Sequence, residues 1–441
     1  MRGPARSGRM RAVNTTGFAV VAALAGAACS HSASGTTTGV VAYAGKIEVE
    51  EGATIVSHYA DGSVIDEEMA DSTGRAEVKT APGAYVSVIF PGEIVPTTPT
   101  ITVVTALLPT DGADLVIHGP PHPLIFTVVA GLTVMPDTPL AGATAYTVDL
   151  GCTTTAVSAM PAFVDVIAPC EGTDTNLDVL VRGYDTADPA TQQLLGYTAG
   201  RVPTGPDQAG NESAQLEFQS WSTSELTVPI TQTGVSAAVS LQLISDTLPF
   251  PTPPTDTNAY VWDNLVVDSS IVTAALGSGG ESQITMQYGS GAPTAIALAA
   301  SDFLPALSPG LTLADPSALG FTWANLSDSA LGDADTLDLH VVWDAPETGS
   351  ASGPQIVWDV VAPPDSDQME FPQLDSDLQQ EVPLPTAPSS STLTVSFSAI
   401  DSPALNGYGD LQAAGIDEAN AIVPLPVSGE IRTSVATGFA Q

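Results

Sequence analysis

Side chains able to do chemistry fall, in this sequence, into acidic groups rather than catalytic constellations. Asp328, Asp333, Asp335 and Asp338 lie within Ser-Asp-Ser-Ala-Leu-Gly-Asp-Ala-Asp-Thr-Leu-Asp. Glu171, Asp174, Asn176 and Asp178 form a second group, and Asp365, Asp367, Asp375 and Asp377 a third. Calcium takes about six to eight oxygen ligands, and closely spaced carboxylates in a loop between strands supply several. The first group is therefore a candidate calcium site, and calcium is the one cofactor the sequence suggests. Its spacing matches neither an EF-hand loop nor a glycine-rich nonapeptide repeat, and solvated turn residues are the alternative reading. His118 and His122 have the spacing of a helical zinc pair, but Pro120, Pro121 and Pro123 forbid that helix, so the segment reads as a connection between modules. The sequence contains no His-Glu-x-x-His, Gly-x-Ser-x-Gly, phosphate-cradling glycine loop or Cys-x-x-Cys. No residue is assigned a catalytic role on this basis. A glycosidase-type carboxylate pair meets in space rather than in sequence, so an exported hydrolase stays open as an alternative.

The charge balance narrows the partners. The 441-residue chain carries 49 acidic and 10 basic residues, and four of the basic ones are Arg2, Arg6, Arg9 and Arg11. Beyond residue 29 only Lys46, Arg75, Lys79, Arg182, Arg201 and Arg432 remain, six against 49, a net charge of −43. Such a surface repels phosphate backbones, which excludes nucleic acid as a partner. It also repels anionic lipid headgroups, so the folded part stays off a membrane surface. Solubility or a saline habitat accounts for the excess, and a cation-binding surface is the sharper alternative. Hydrophobic residues, at 44%, suffice for the cores of about two to four domains. Charged residues are only 13%, so Thr, Ser, Asn, Gln and Gly must cover much of the exterior, as suits an exported β protein.

Residues 1–28 have the pattern of a signal peptide: an Arg-rich start, then an apolar run, Phe18–Ala28, too short to span a bilayer. Leu24-Ala25-Gly26-Ala27-Ala28-Cys29 resembles the lipobox of bacterial lipoproteins, although Gly26 stands where Leu is commonest. The resemblance implies that Cys29 becomes the acylated first residue and ties the protein to a lipid bilayer. Ser30 implies sorting to the outer membrane, on its periplasmic or cell-surface side. Ordinary cleavage after Ala27 is the alternative and leaves Cys29 a spare thiol. Several acyl chains, at about 0.8 kcal/mol per buried CH₂, anchor a protein firmly. No later segment offers about 18 uninterrupted apolar residues, so no transmembrane helix is expected.

Three cysteines are an odd number for an exported protein. With Cys29 acylated, Cys152 and Cys170 remain as a pair. Strands near 144–151 and 162–169, joined as a tight hairpin, would place the two at opposite extremities, beyond the Cα limit of about 7 Å for a bridge. A third short strand over Thr153–Ala159 makes the first and last run the same way. An up-down-up path and a Cys152–Cys170 disulfide are therefore expected together, the closed loop contributing about 3 kcal/mol.

The elements that must carry these groups are strands. Period-two or β-branched runs cut by turn residues recur every 10–20 residues, the signature of an all-β protein built from two or three tandem β-sandwich modules. Residues 29–39 form a small polar tether. A first module spans 40–117, with strands over Lys46–Glu50, Thr54–Tyr59, Ala76–Thr80, Tyr85–Phe90 and Thr100–Leu107. Asp61-Gly62, Asp71-Ser72-Thr73-Gly74 and Ala81-Pro82-Gly83 mark its turns. A second sandwich, holding both later cysteines, spans 118–248. Pro249-Phe250-Pro251-Thr252-Pro253-Pro254-Thr255-Asp256 reads as a linker. A third sandwich takes 257–441, where Trp323, Trp343 and Trp358 are expected to share one core, and a helix is placed near Leu411–Ala421.

Gly52-Ala53-Thr54-Ile55-Val56, Asp71-Ser72-Thr73-Gly74-Arg75-Ala76-Glu77-Val78 and Pro82-Gly83-Ala84-Tyr85-Val86-Ser87-Val88 resemble the carboxypeptidase-regulatory-like and bacterial Ig-like modules, with their "D-x-x-G" hairpin and "P-G-x-Y-x-V" strand. The resemblance covers about residues 45–90. It implies a small Ig-like or transthyretin-like sandwich used as a spacer or binding module, and it transfers no functional residue. The function expected from the sequence is thus a non-catalytic cell-surface lipoprotein, acting as scaffold or binding module for a polysaccharide or a surface protein. A calcium-dependent adhesin and an exported hydrolase are its rivals.

Overall fold

The computed structural model describes residues 36–439, apart from 45–47, 96–97, 109–113, 121–127, 151–152, 168–175, 189–190, 204–212, 219, 224, 246–247, 252–257, 263–266, 278–280, 308–310, 316–318, 324–333, 346–352, 367, 370, 375, 386–387, 390–391, 403–406 and 418–427. Among the described residues strands predominate and helices are confined to short turns, so the fold is all-β. The turns form where Gly is placed to make them: Gly62, Gly74 and Gly83 have φ of +79°, +69° and +70°. At Gly74 a Cβ would come 2.5 Å from the Ala42 carbonyl oxygen, so both space and dihedral demand glycine. Asp71 Oδ1 closes the same turn, accepting hydrogen bonds from the Thr73 hydroxyl (2.6 Å), the Thr73 amide (2.8 Å) and the Arg75 amide (3.2 Å). These bonds, the Thr73 hydroxyl first, hold its carboxyl below the usual carboxylate range. The C-terminal helix is Tyr408–Ala414, slightly earlier than its sequence pattern suggests, and a one-turn helix covers Leu378–Glu381.

A twelve-stranded sheet organises the body. Its order is Leu248–Pro251, Ala238–Ser245, Ser269–Gly277, Glu281–Ser290, Gly429–Thr437, Thr394–Asp401, Thr336–Asp344, Gln355–Ala362, Thr98–Leu107, Tyr85–Val95, Thr54–His58 and Val64–Met69. Every neighbouring pair is antiparallel except Thr98–Leu107 with Gln355–Ala362, which run parallel with Thr100 opposite Gln355 and Val361 opposite Ala106. That pair joins the N-terminal strands to the C-terminal ones. Residues 40–117 and 257–441, expected as separate tandem sandwiches, therefore share a sheet, and Thr36–Gln441 forms a single compact unit.

The cores explain why. On one face Val56, Ile89 and Val103 pack with Trp323, Trp343, Trp358, Phe321 and Phe371, so the three tryptophans do share a core. On the other face Ile55, Val88 and Val104 pack with Val361, Ile400 and Ile431, beneath Val40, Val78 and Ile117 of a smaller sheet. Val86–Phe90 and Trp358–Ala362 are buried at every position, as central strands covered on both faces must be. Outer strands such as Arg75–Thr80 keep a strict exposed–buried alternation.

The smaller sheet corrects two expectations. Thr36–Gly39, placed by sequence in a flexible tether, begins the strand Thr36–Ala44, which pairs with Arg75–Thr80 and runs parallel to Leu115–Gly119. Thr38 and Thr80 hydroxyls meet at 2.8 Å, both buried. His118, read as part of a connection, lies inside Leu115–Gly119, 5% exposed and stacked on Tyr43 with centroids 5.0 Å apart. Side-by-side strands give the imidazole an apolar partner that a proline-flanked loop would not.

The proline-rich stretch is also partly sheet. Leu248–Pro251 pairs with Ala238–Ser245 at the sheet's edge, where a missing N–H costs no second ladder; residues 252–257 lie outside the described residues. Asp66, Glu67 and Glu68 charge the opposite edge strand. Proline at one edge and carboxylates at the other both discourage a further strand from adding.

Residues 128–218 hold a true two-sheet sandwich. Ala145–Asp149, Thr154–Val157, Asn176–Tyr184 and Leu194–Pro203 form one sheet, and Val128–Pro136, Ala162–Ile167 and Ser213–Phe218 the other. Their inner faces meet through Val148, Val164, Val166, Val181 and Leu216. The short middle strand expected after Cys152 is present, but the next strand crosses to the facing sheet instead of returning in the same one. Cys152 and Cys170 themselves lie outside the described residues. Leu180 and Tyr197, on the outer face, pack with Val228, Leu241 and Val272 and seat the sandwich against the end of the large sheet.

Candidate functional site

The candidate calcium group is not brought together among the described residues. Asp335 ends a loop and accepts a hydrogen bond from the Ser402 amide at 2.8 Å. Burial, followed by the neighbouring Asp401 and Asp410 carboxylates, pushes its own carboxyl up. Asp338 is 6% exposed inside the strand Thr336–Asp344, opposite Val361 and Ser398. Asp328 and Asp333 lie outside the described residues, as do Cys29, Glu171, Asp174, Asp367, Asp375 and His122. Among the described residues no three His, Cys, Asp or Glu side chains are placed to hold a metal ion.

Two arrangements absent from the sequence reading carry more chemistry. The first is a carboxylate–imidazole pair: His340 Nδ1 lies 2.6 Å from Asp359 Oδ1. The Asp359 side chain is fully buried and that of His340 is 35% exposed. They face each other across adjacent strands, and Ser396 stands opposite His340 on the strand beyond, so Ser, His and Asp form a row on one face. The carboxylate orients the ring and its tautomer, as a buried acceptor does for any imidazole. A polar residue inside an apolar run was the available signal: Leu339-His340-Val341 and Trp358-Asp359-Val360.

The second is a groove of about 730 Å³ at the corner of the large sheet. Its floor is built from four adjacent strands, with Met69 opposite Thr54 and Thr54 opposite Ile89, and Ile101 beyond. The helix Leu378–Glu381 and Pro354 form the wall. Glu67, Asp377 and Glu381 are exposed carboxylates on its lining, which contains no basic residue. Met69 is 66% exposed, more than any other large apolar side chain described. Asp377 belongs to the third acidic group of the sequence; Glu67, Met69 and Glu381 carried no motif. The helix wall is held by Leu378 and Val382, buried in the tryptophan core, and by Gln379, which donates to the Leu374 carbonyl at 2.6 Å.

No family model and no curated protein matches the chain. Among solved structures it is similar to the Bacillus anthracis TIE protein, with 10% identity, a TM-score of 0.16, and 60% of this chain against 50% of that one. It is also similar to the multi-modular glycogen-degrading pneumococcal virulence factor SpuA (8%, TM-score 0.12, 83% against 37%). The pilus adhesin SpaC from Lactobacillus rhamnosus GG aligns at 9% identity and TM-score 0.12, 74% against 44%. The chain thus spans half or less of the length of each.

Proposed function

We propose that this chain is a non-catalytic, lipid-anchored surface protein whose β body is a scaffold that binds a polymer or a partner protein. The leader and Cys29 supply the anchor. The body supports the rest: its central strands are covered on both faces, its sheet edges are blocked by proline and by carboxylates, and one corner opens into the groove. The open groove is the observation that carries the reading, because it offers contact area without requiring the sheet to unfold or extend.

Charge fits display away from a bilayer. Four of the six basic residues beyond the leader are tied to aspartates: Arg75 to Asp114, Lys79 to Asp66, Arg182 to Asp149 and Arg432 to Asp401. The Arg182–Asp149 pair is buried, at 2.7 Å. Carboxylates therefore dominate the surface and oppose anionic headgroups. Metabolic labelling with a fatty acid tests the anchor: the wild type takes up label and Cys29→Ala does not. An unlabelled wild type would refute attachment through Cys29.

A further inference from the structure

We infer that residues 371–374 are a strap over the tryptophan core that acid releases, with His58 beneath it as the trigger. His58 ends the strand Thr54–His58, with Val64 opposite it on the edge strand and Tyr85 opposite it on the inner neighbour. Leu107, one strand further, faces Tyr85, and both Val64 and Leu107 pack on the tryptophan core. The sheet therefore floors the imidazole with apolar groups, and its cover is a piece of chain. Gln373 N–H donates to the Gly62 carbonyl at 3.0 Å in the turn that follows His58, and a Cβ at Gly62 would come 3.6 Å from Pro372 Cα. Under that cover the ring is fully buried, and neither nitrogen meets hydrogen-bond geometry with a partner. Such a place accepts the neutral ring and rejects the imidazolium.

The strap is the weaker of the two walls. Thr54–His58 is laddered to strands on both sides. Residues 371–374 belong to no strand or helix and hold on through the Gln373–Gly62 bond and the buried side chains of Phe371 and Leu374. Local opening follows the segment with the fewest ties, so water reaches His58 when the strap lifts. The strap continues into the helix Leu378–Glu381 on the groove wall. In the open state the ring takes its proton near the ordinary 6.5; under the strap, burial lowers this to about 4. The open-to-closed ratio thus rises about tenfold for each pH unit below 6.5 and levels off near pH 4, about 300-fold in all. Titratable neighbours are Tyr85, Tyr59 and Asp61 on the turn, and Glu67 on the same face of the edge strand. Asp66 is held to Lys79 at 3.5 Å, and Glu370 and Asp375 lie outside the described residues. An ordinary carboxylate takes its proton near pH 4, so a release that begins near pH 6.5 belongs to an imidazole.

Amide hydrogen exchange of the full-length chain tests the inference, read by mass spectrometry from about pH 7 to about pH 4.5 and divided by the intrinsic rate at each pH. Peptides covering residues 371–374 are expected to exchange at least about tenfold faster at the acid end, with an onset near pH 6.5. Peptides from Trp358–Ala362, in the central sheet, are expected to change less than about twofold. His58→Gln, which keeps a neutral polar side chain, is expected to abolish the response. Asp377 and Glu381 remain in that variant, so a response that survives there belongs to the carboxylates and overturns His58 as the trigger. Equal acceleration of Trp358–Ala362 would mean that the whole body unfolds, and strap protection independent of pH would mean that no release occurs; either overturns the proposal. Should His58→Gln fail to fold, the wild type decides alone, because an onset below about pH 5 marks carboxylates and rules the imidazole out.

Discussion

His58 shows how a single residue inherits its behaviour from its place in the sheet. It is fully buried at the end of Thr54–His58, and neither ring nitrogen meets hydrogen-bond geometry with a partner. Burial lowers its pKa to about 4, and the backbone groups of Gly62 and Gln373 offset this only in part. The folded protein therefore keeps His58 neutral while the unfolded chain takes up a proton below about pH 6.5. Stability from this site is complete above pH 6.5 and is lost as pH falls towards 4, a change of about 3 kcal/mol. Comparing wild type with His58→Leu by denaturant unfolding isolates it from the many carboxylates. The stability difference between the two should shift by about 3 kcal/mol in the variant's favour between pH 7 and pH 4. A difference independent of pH would mean that the ring is solvated or bonded in solution.

At the scale of elements, a buried hydrogen-bond chain shows what binds the N-terminal strands to the C-terminal ones. The Trp358 indole N–H donates to Thr105 Oγ1 at 2.8 Å, and Thr105 meets the Ser87 hydroxyl at 2.8 Å. Thr105→Val keeps the shape but leaves an indole N–H and a hydroxyl unsatisfied in a dry core, which should cost about 1–3 kcal/mol in a denaturant titration. A loss below about 0.5 kcal/mol would contradict the buried geometry. Strand positions were legible in the sequence because Val, Ile, Thr and aromatic residues recur between Gly and Asp turns, as at Gly52–Val56, Asp71–Val78 and Pro82–Val88. Pairing was not, since alternation says which face a residue takes and nothing about which strand lies beside it. The mostly apolar runs Val86–Phe90 and Trp358–Ala362, broken only by Ser87 and Asp359, did hold a signal of two-sided burial. The groove was invisible in sequence because Ile89, Met69 and Glu381 meet only once strands far apart in the chain are placed side by side.

For the whole molecule, the consequence is a body that cannot be divided at residues 117 or 257. Removing the C-terminal strands would strip the cover from one face of Thr98–Leu107 and turn a central strand into an edge. Chain connectivity thus nests the two-sheet sandwich of residues 128–218 between two parts of one large sheet. The parallel contact between Thr98–Leu107 and Gln355–Ala362 is the hinge of this account. Thr100 and Gln355 are directly opposed across it, and neighbouring strands at about 4.8 Å fall within disulfide reach. A Thr100→Cys/Gln355→Cys variant, oxidised in its folded state and digested without reduction, should yield a peptide linking the two positions. Failure to form that cross-link under native conditions, with both thiols reactive to alkylation, would contradict the shared sheet and restore the tandem arrangement.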